Sequence, residues 1–494
     1  MLLSDDIKID LIGLVVAIAV VTLAYFKWSF TYWQKKGLQT LPPSIPCGNA
    51  ADIFLGRKIL GEFFRDIYFH FKAKGARHAG AYAVTKPVYV PIDLDIIKCI
   101  LQSDFQHFQS HGTIVDEEVD PLSVNLFNME EKMKMMFSTL LETSEGFRDL
   151  LEESCKGSAG VNIKEVAGSV IFGLSISSIK DPKAEFRKYG QKAVNLDLAG
   201  TIRVLGQLLF PHSIWRFFKI SAVVPEVSDF FTKTIKETIE YREKNNIIRR
   251  DFMHMLLQLK NKGEIEKDDE LGEIRGYKSG TMTLNEIVAQ CFVFFSAGFE
   301  TSSSTINFAA YELATNPEIQ TKVREEINTV LQRYDNKLTY EAINDMNYLE
   351  KVLSETLRKY PILPALFRVC TKNYQVPGSD LIIEKGTTVM IPVLGIHFDP
   401  EYFTDPEKFD PERFSEENKA QRHSFSWLGF GEGPRICIGM RLGKMQAKVG
   451  LITLLKNYHI TLNRKTQLPL VYKKTASTLM TNSPICFDLH KIVN

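Results

Sequence analysis

The stretch FSWLGFGEGPRICIGMRL, residues 425–442, sets glycines 429, 431, 433 and 439 and Pro434 around a single cysteine, Cys437. It runs straight into RLGKMQAKVGLITLLKNY (441–458), whose apolar spacing predicts a helix. Glycines let a loop pass flat against a ligand. A helix start adds unpaired amides and a positive dipole end, which favour thiolate over thiol. A thiolate so placed is a strong iron ligand. A glycine-rich turn around an inert, buried cysteine is the competing reading.

The other six cysteines, Cys47, Cys99, Cys155, Cys291, Cys370 and Cys486, form no close pair, so neither a zinc site nor a disulfide framework is expected. They read as small buried hydrophobes of a body that sits in a reducing compartment. Apolar residues make up 45% and charged residues 24% of the 494, which disfavours disorder, collagen-like sequence and a multi-span membrane protein. Lys+Arg at 60 against Asp+Glu at 59 leaves no field to draw the chain onto nucleic acid. Neither a phosphate loop, a zinc-protease helix nor a serine-nucleophile elbow is present.

At the amino terminus LIGLVVAIAVVTLAYF (11–26) carries no charge and leads into Trp28, Tyr32 and Trp33, the pattern of one bilayer crossing with an interfacial aromatic belt. A cleaved signal peptide is the rival. Against it stand Asp5, Asp6 and Asp10 ahead of the segment, in place of basic residues, and the lack of a small-residue cleavage pattern before Lys35 and Lys36. Lys27, Lys35 and Lys36 place the following body on the cytosolic side. LPPSIPCG (41–48) excludes helix between anchor and body. The expected organisation is an anchor with its flank (1–34), a basic and proline-rich linker (35–50) and a folded body (51–494).

Helix signals dominate that body. Thr283 and Glu286 match a capping box opening a helix of about thirty residues that Asn316 and Pro317 interrupt. Its centre, CFVFFSAGFETSSSTINF (291–308), is apolar nearly all round and should be buried. Asn316 reads as the N-cap and Pro317 as the first residue of a helix through Leu331. A third helix should run from Tyr348 to Tyr360, stopped by Pro361. AYAVTKPVYVPI (81–92) and TTVMIPVL (387–394) have the β-branched content of strands. The fold class expected is mainly α with a smaller β portion (α+β).

The run from Phe430 through Gly431, Arg435 and Cys437 to Gly439, FGEGPRICIG, resembles the haem-binding loop of the cytochromes P-450. Three further segments share the resemblance: AGFET (Ala297, Gly298, Phe299, Glu300, Thr301), ETLR (Glu355 to Arg358) and PERF (Pro411 to Phe414). It implies the cytochrome P-450 fold, with haem b (iron protoporphyrin IX) whose iron is ligated by Cys437 and whose thiolate donation favours O–O cleavage. It also implies that Phe430, Gly431, Gly439, Ala297 and Gly298 line the cofactor and that Arg368 and Arg435 pair with its propionates. Thr301 and Glu300 would deliver protons where O2 is activated, and Glu355, Arg358 and Arg413 would form a buried structural triad. Without the resemblance these residues read blandly: AGFET as a packing notch with a hydroxyl bonded to its own helix, Glu355 and Arg358 as a surface ion pair, Arg368 and Arg435 as exposed charges.

PPSIPCGN (42–49), REKNNI (242–247) and DPEKFDPERF (405–414) are most similar to the insect microsomal, detoxification-type branch of that family. The resemblance implies a monooxygenase of small lipophilic substrates. Its NADPH electrons would come from NADPH-cytochrome P-450 reductase, with cytochrome b5 as an optional second donor, at the endoplasmic reticulum membrane. Phe105, Phe108, Leu363, Leu366 and Met480 are the expected pocket residues. The sequence departs from the family where Phe127 runs directly into NMEEKMKMMF. The departure implies a shortening near 128–134, which removes a helix carrying Trp and Arg, and a smaller one near 168–172. A family member that binds ligand without turnover is therefore the second reading. A thiolate enzyme that rearranges its substrate without external electrons is the third, and the retained Thr301 speaks against it.

Overall fold

The computed structural model describes residues 5–112, 115–118, 120–125, 185–194, 216–221, 223–247, 252–262, 282–474, 476 and 478–492. The segments near 128–134 and 168–172, where shortening was expected, lie outside the described residues. The chain divides into two compact units, one comprising Met1–Gly112 with Ala365–Gly395, the other Thr113–Pro364 with Ile396–Asn494.

In the first unit, helix α1 (Asp5–Ser29) has exposed apolar side chains along its length, Leu11, Val15, Ile18 and Val21 among them. It belongs to the one segment among the described residues that is long and apolar enough to cross a membrane. At 25 residues it measures about 37 Å, longer than a hydrocarbon core of about 30 Å. The expected aromatic belt is corrected here. Trp28 is exposed, but Trp33 has no exposed surface: its Nε1 donates to Ala81 O (3.0 Å), and Tyr82 Oη accepts its backbone amide (3.0 Å) while donating to Phe30 O (2.8 Å). A tryptophan whose ring and N–H are both satisfied inside protein is a core residue.

Beyond it the chain is non-helical from Lys36 to Ala50, as the prolines require, and it is hydrogen-bonded into this unit. The Asn49 amide and side-chain oxygen take both backbone groups of Tyr82, each at 2.8 Å. Helix α2 (Leu60–Lys72) buries Phe63, Phe64, Ile67, Tyr68 and Phe71 on one stripe. Strands β1 (His78–Ala83) and β2 (Lys86–Pro91) form an antiparallel hairpin. The sheet runs β1, β2, β4 (Thr388–Ile391), β3 (Leu366–Val369), with β4 parallel to β2 and antiparallel to β3. Of the two segments read as strands, 81–92 holds the end of β1, the turn and β2, and 387–394 holds β4 but ends in a short helix that begins at Val393.

The second unit is built on helices α3 (Pro225–Lys244), α4 (Leu284–Thr315), α5 (Pro317–Arg333), α6 (Asn347–Lys359) and α7 (Met440–Asn457), with a small antiparallel pair β5 (Tyr458–Leu462) and β6 (Phe487–Lys491). Thr283 and Glu286 close the expected capping box: Oγ1 accepts the Glu286 amide (3.2 Å) and Glu286 Oε2 the Thr283 amide (2.8 Å). Asn316 stands at the N-cap position of α5 but caps nothing there. Its Nδ2 donates back to Glu312 O (2.8 Å), satisfying a terminal carbonyl of α4 instead. One continuous core joins α3, α4, α5, α6 and α7 through Phe231, Phe295, Leu313, Val323, Leu353, Met445 and Ile452.

Candidate functional site

In the second unit the cysteine loop is held by its own backbone. Gly431 and Gly433 adopt φ of +73° and +78°, where only glycine is unstrained. The Cys437 amide donates to Phe430 O (2.9 Å) and the Met440 amide to Cys437 O (3.2 Å), so the cysteine lies one turn before α7. Gly429 is there for a different reason: a Cβ would stand 2.7 Å from the Trp427 ring and 3.2 Å from Leu357 Cβ, so the loop lies flat on α6. The Cys437 side chain is solvent-accessible, yet protein surrounds it closely enough that burial pushes its thiol up, with the Gly439 amide pulling the other way. The expectation that the helix start would favour a thiolate is outweighed by desolvation in the protein alone.

Along α4 the AGFET turn interrupts a buried helix. Phe295 and Phe299 are buried, whereas Ala297 is exposed and Gly298 half-buried. Thr301 Oγ1 donates to Ala297 O (2.6 Å), the back-bonded geometry of the bland reading, and keeps its two lone pairs as acceptors. Ser304 Oγ donates to Glu300 Oε1 (3.2 Å), which holds that carboxylate along the helix.

A buried side-chain contact brings the two segments together. Ser302 Oγ donates to Gln446 Oε1 (2.8 Å), both side chains buried, and a Cβ on Gly443 would stand 4.0 Å from Ser302 Oγ. The turn after AGFET therefore packs on the first turns of α7, directly beyond Cys437. The one available signal was spacing: Gly298 and Ser302 share one helical face, as do Gly443 and Gln446.

Glu355 and Arg358 pair on α6 without exposed surface, Nε to Oε2 at 2.7 Å and Nη2 to Oε1 at 2.9 Å. Arg413 Nε stands 3.4 Å from Oε1, and the Asp410 amide donates to the same oxygen (3.0 Å). Burial pushes the Glu355 carboxyl up against the pull of these partners. Arg358 reaches further, to His397 O (2.9 Å) and Pro406 O (2.8 Å). Arg435 is half-buried in the short turn Gly433–Arg435 of the loop.

Arg368 belongs to the first unit, on β3. It is buried, donates to Phe367 O (2.7 Å) and places Nη1 3.2 Å from His111 Nδ1. A guanidinium can only donate, so that ring nitrogen accepts. Sequence reasoning passed over His111. Among the expected pocket residues, Phe108 has no exposed surface and packs edge-on against the Tyr374 ring (4.8 Å), which makes it a core residue.

A mainly helical chain that presents one accessible thiol on a glycine-rich loop at a helix start has the donor that a thiolate-ligated metal requires. The family model described as Cytochrome P450 matches residues 122–488. The chain is 37% identical to Cytochrome P450 6a8 of Drosophila melanogaster, covering 92% of this chain and 94% of that protein. It is 36% identical to Cytochrome P450 6k1 of Blattella germanica, covering 96% of both, and 37% identical to Cytochrome P450 6A1 of Musca domestica, covering 92% of both. The chain belongs to the cytochrome P450 family and is a monooxygenase of that family.

Proposed function

We propose that Cys437 is the axial ligand of haem b and that the enzyme inserts one atom of O2 into small lipophilic substrates, with NADPH electrons delivered by a membrane-bound reductase. The observation that carries this is the accessible Cys437 thiol beside α7, whose first turns pack on the AGFET strip of α4. Donor and surroundings within the second unit fit the group: one soft sulfur ligand, small residues at Ala297, Gly298 and Gly439 that a flat macrocycle can approach, and the Arg435 guanidinium for a carboxylate. When bound, the haem would supply the activation of O2, one atom of which enters the substrate while the other leaves as water with the two NADPH-derived electrons and two protons.

The chain's own residues hold the group and move protons. Cys437 sheds its proton on ligation, because a metal's charge overcomes the desolvation that keeps the thiol protonated in the protein alone. Thr301 Oγ1 offers lone pairs at the exposed strip, and Glu300, steadied by Ser304, is the carboxyl that exchanges protons with it through water. Glu355, Arg358 and Arg413 keep the cysteine loop's supporting segments in place. The exposed apolar α1 supports residence in the endoplasmic reticulum membrane, with Lys35 and Lys36 favouring a cytosolic catalytic body.

The test is the carbon monoxide difference spectrum of the reduced, full-length protein in membranes. A strongly red-shifted Soret band in the wild type, lost in Cys437→Ala, and NADPH-dependent product with reductase are expected. A shifted band that survives Cys437→Ala would refute the ligand assignment.

A further inference from the structure

His397 has no exposed surface, and no role has yet been given to it. Its Nε2 lies 2.8 Å from the Leu428 amide and its Nδ1 3.0 Å from Arg358 O. An amide N–H can only donate, so Nε2 accepts, and Nδ1 carries the proton that it gives to the Arg358 carbonyl. The two partners fix a single neutral tautomer. Burial, aided by the Arg358 charge, pushes the imidazole down to about 3, so this tautomer persists across the working pH range.

Both ends of this bridge are informative. Arg358 O lies in the last turn of α6, where helical carbonyls lack an intrahelical partner. Leu428 heads the cysteine loop, and from it backbone bonds run on: the Gly431 amide to Leu428 O (3.0 Å) and the Cys437 amide to Phe430 O (2.9 Å). Two other contacts tie the loop head to α6, Trp427 Nε1 to Ser354 O (3.2 Å) and the flat approach of Gly429 to Leu357. His397 is the contact whose side chain is bonded to backbone on both sides, and the buried Arg358 side chain in turn holds its carbonyl (2.9 Å).

We propose that His397 is a positioning residue for the Cys437 thiolate, setting the register of the cysteine loop against the end of α6 by holding the Leu428 amide. The proposal rests on Cys437 being the iron ligand. Replacing the imidazole with a group that cannot accept strands a buried amide, which lets the loop head shift and the thiolate leave the iron.

The experiment compares full-length, haem-loaded His397→Gln, His397→Asn and His397→Leu in membranes, with Cys437→Ala as reference. A glutamine oxygen reaches the position of Nε2, whereas an asparagine amide stands only at that of Nδ1. Each protein is scored for total haem and for the rate at which the red-shifted carbon monoxide band converts to the unshifted form. Conversion at the wild-type rate in H397Q and about tenfold faster in H397N and H397L, at wild-type haem content, supports the role. A filler role would let H397L do as well as H397Q. Wild-type conversion in H397N and H397L, while Cys437→Ala lacks the band, overturns the proposal. A shifted band in Cys437→Ala overturns the ligand assignment and the role with it. Should H397N and H397L not accumulate, amide exchange over residues 427–431 is compared in wild type, H397Q and His397→Met, which matches glutamine in length but offers no comparable acceptor: protection kept in H397Q and lost in H397M supports the bridge, and equal protection in both overturns it.

Discussion

Glu355 takes hydrogen bonds from Arg358 Nε, Arg358 Nη2 and the Asp410 amide while having no exposed surface. Removing the carboxylate leaves the Arg358 charge buried with carbonyl acceptors alone, so Glu355→Ala should cost about 3 to 5 kcal/mol, read from denaturant unfolding of the solubilised protein. That Glu355 and Arg358 face each other is legible three residues apart on a helix. That they are buried is not, because burial comes from the 397–413 segment packed over them. Thr301 behaves differently. Its hydroxyl donates along its own helix, so Thr301→Ala should leave stability nearly unchanged while NADPH oxidation continues with little product formed. Paired assays of NADPH consumption and product would show it, and unchanged coupling would remove Thr301 from the proton path.

Single elements carry signals of very different reach. The boundaries of α4 follow from a capping box and a proline, both local, and the structure places them within a residue of the expectation. The seat of Trp33 follows from a residue far along the chain. A Cβ on Gly80 of β1 would stand 2.5 Å from Trp33 Cγ and 2.9 Å from Thr40 Cγ2, so the strand meets the chain leaving α1 only because position 80 has no side chain. Gly80→Ala should lower the stability of the first unit by about 1 to 3 kcal/mol, visible as an earlier tryptophan-fluorescence transition in denaturant. An unchanged midpoint would mean that the ring can move aside. In sequence Trp33 is indistinguishable from a membrane-interface aromatic, since both sit just past an apolar helix.

For the whole molecule, the anchor and the fold separate at a definite point. Deleting residues 1–26 removes exposed apolar surface and should shift the protein towards the soluble fraction without moving its unfolding midpoint. Deleting residues 1–36 also removes buried Trp33 and should destabilise the first unit by about 3 to 5 kcal/mol. Fractionation and unfolding of the two truncations would check this, and equal midpoints would place the boundary wrongly. What the sequence by itself determined was local: the apolar run of α1, the capping box and prolines that bound α4 to α6, the strands around residues 85 and 390, and a glycine-framed Cys437 ahead of a helix. Each depends on residues within a few positions of one another, where periodicity and backbone preference act. The tertiary structure alone decided that Trp33 is core, that Asn316 closes α4, that Ser302 reaches Gln446, and that His397 joins Arg358 to Leu428. Those partners lie up to 144 residues apart in the chain, and a side chain's bonding there depends on which faces meet once the elements pack.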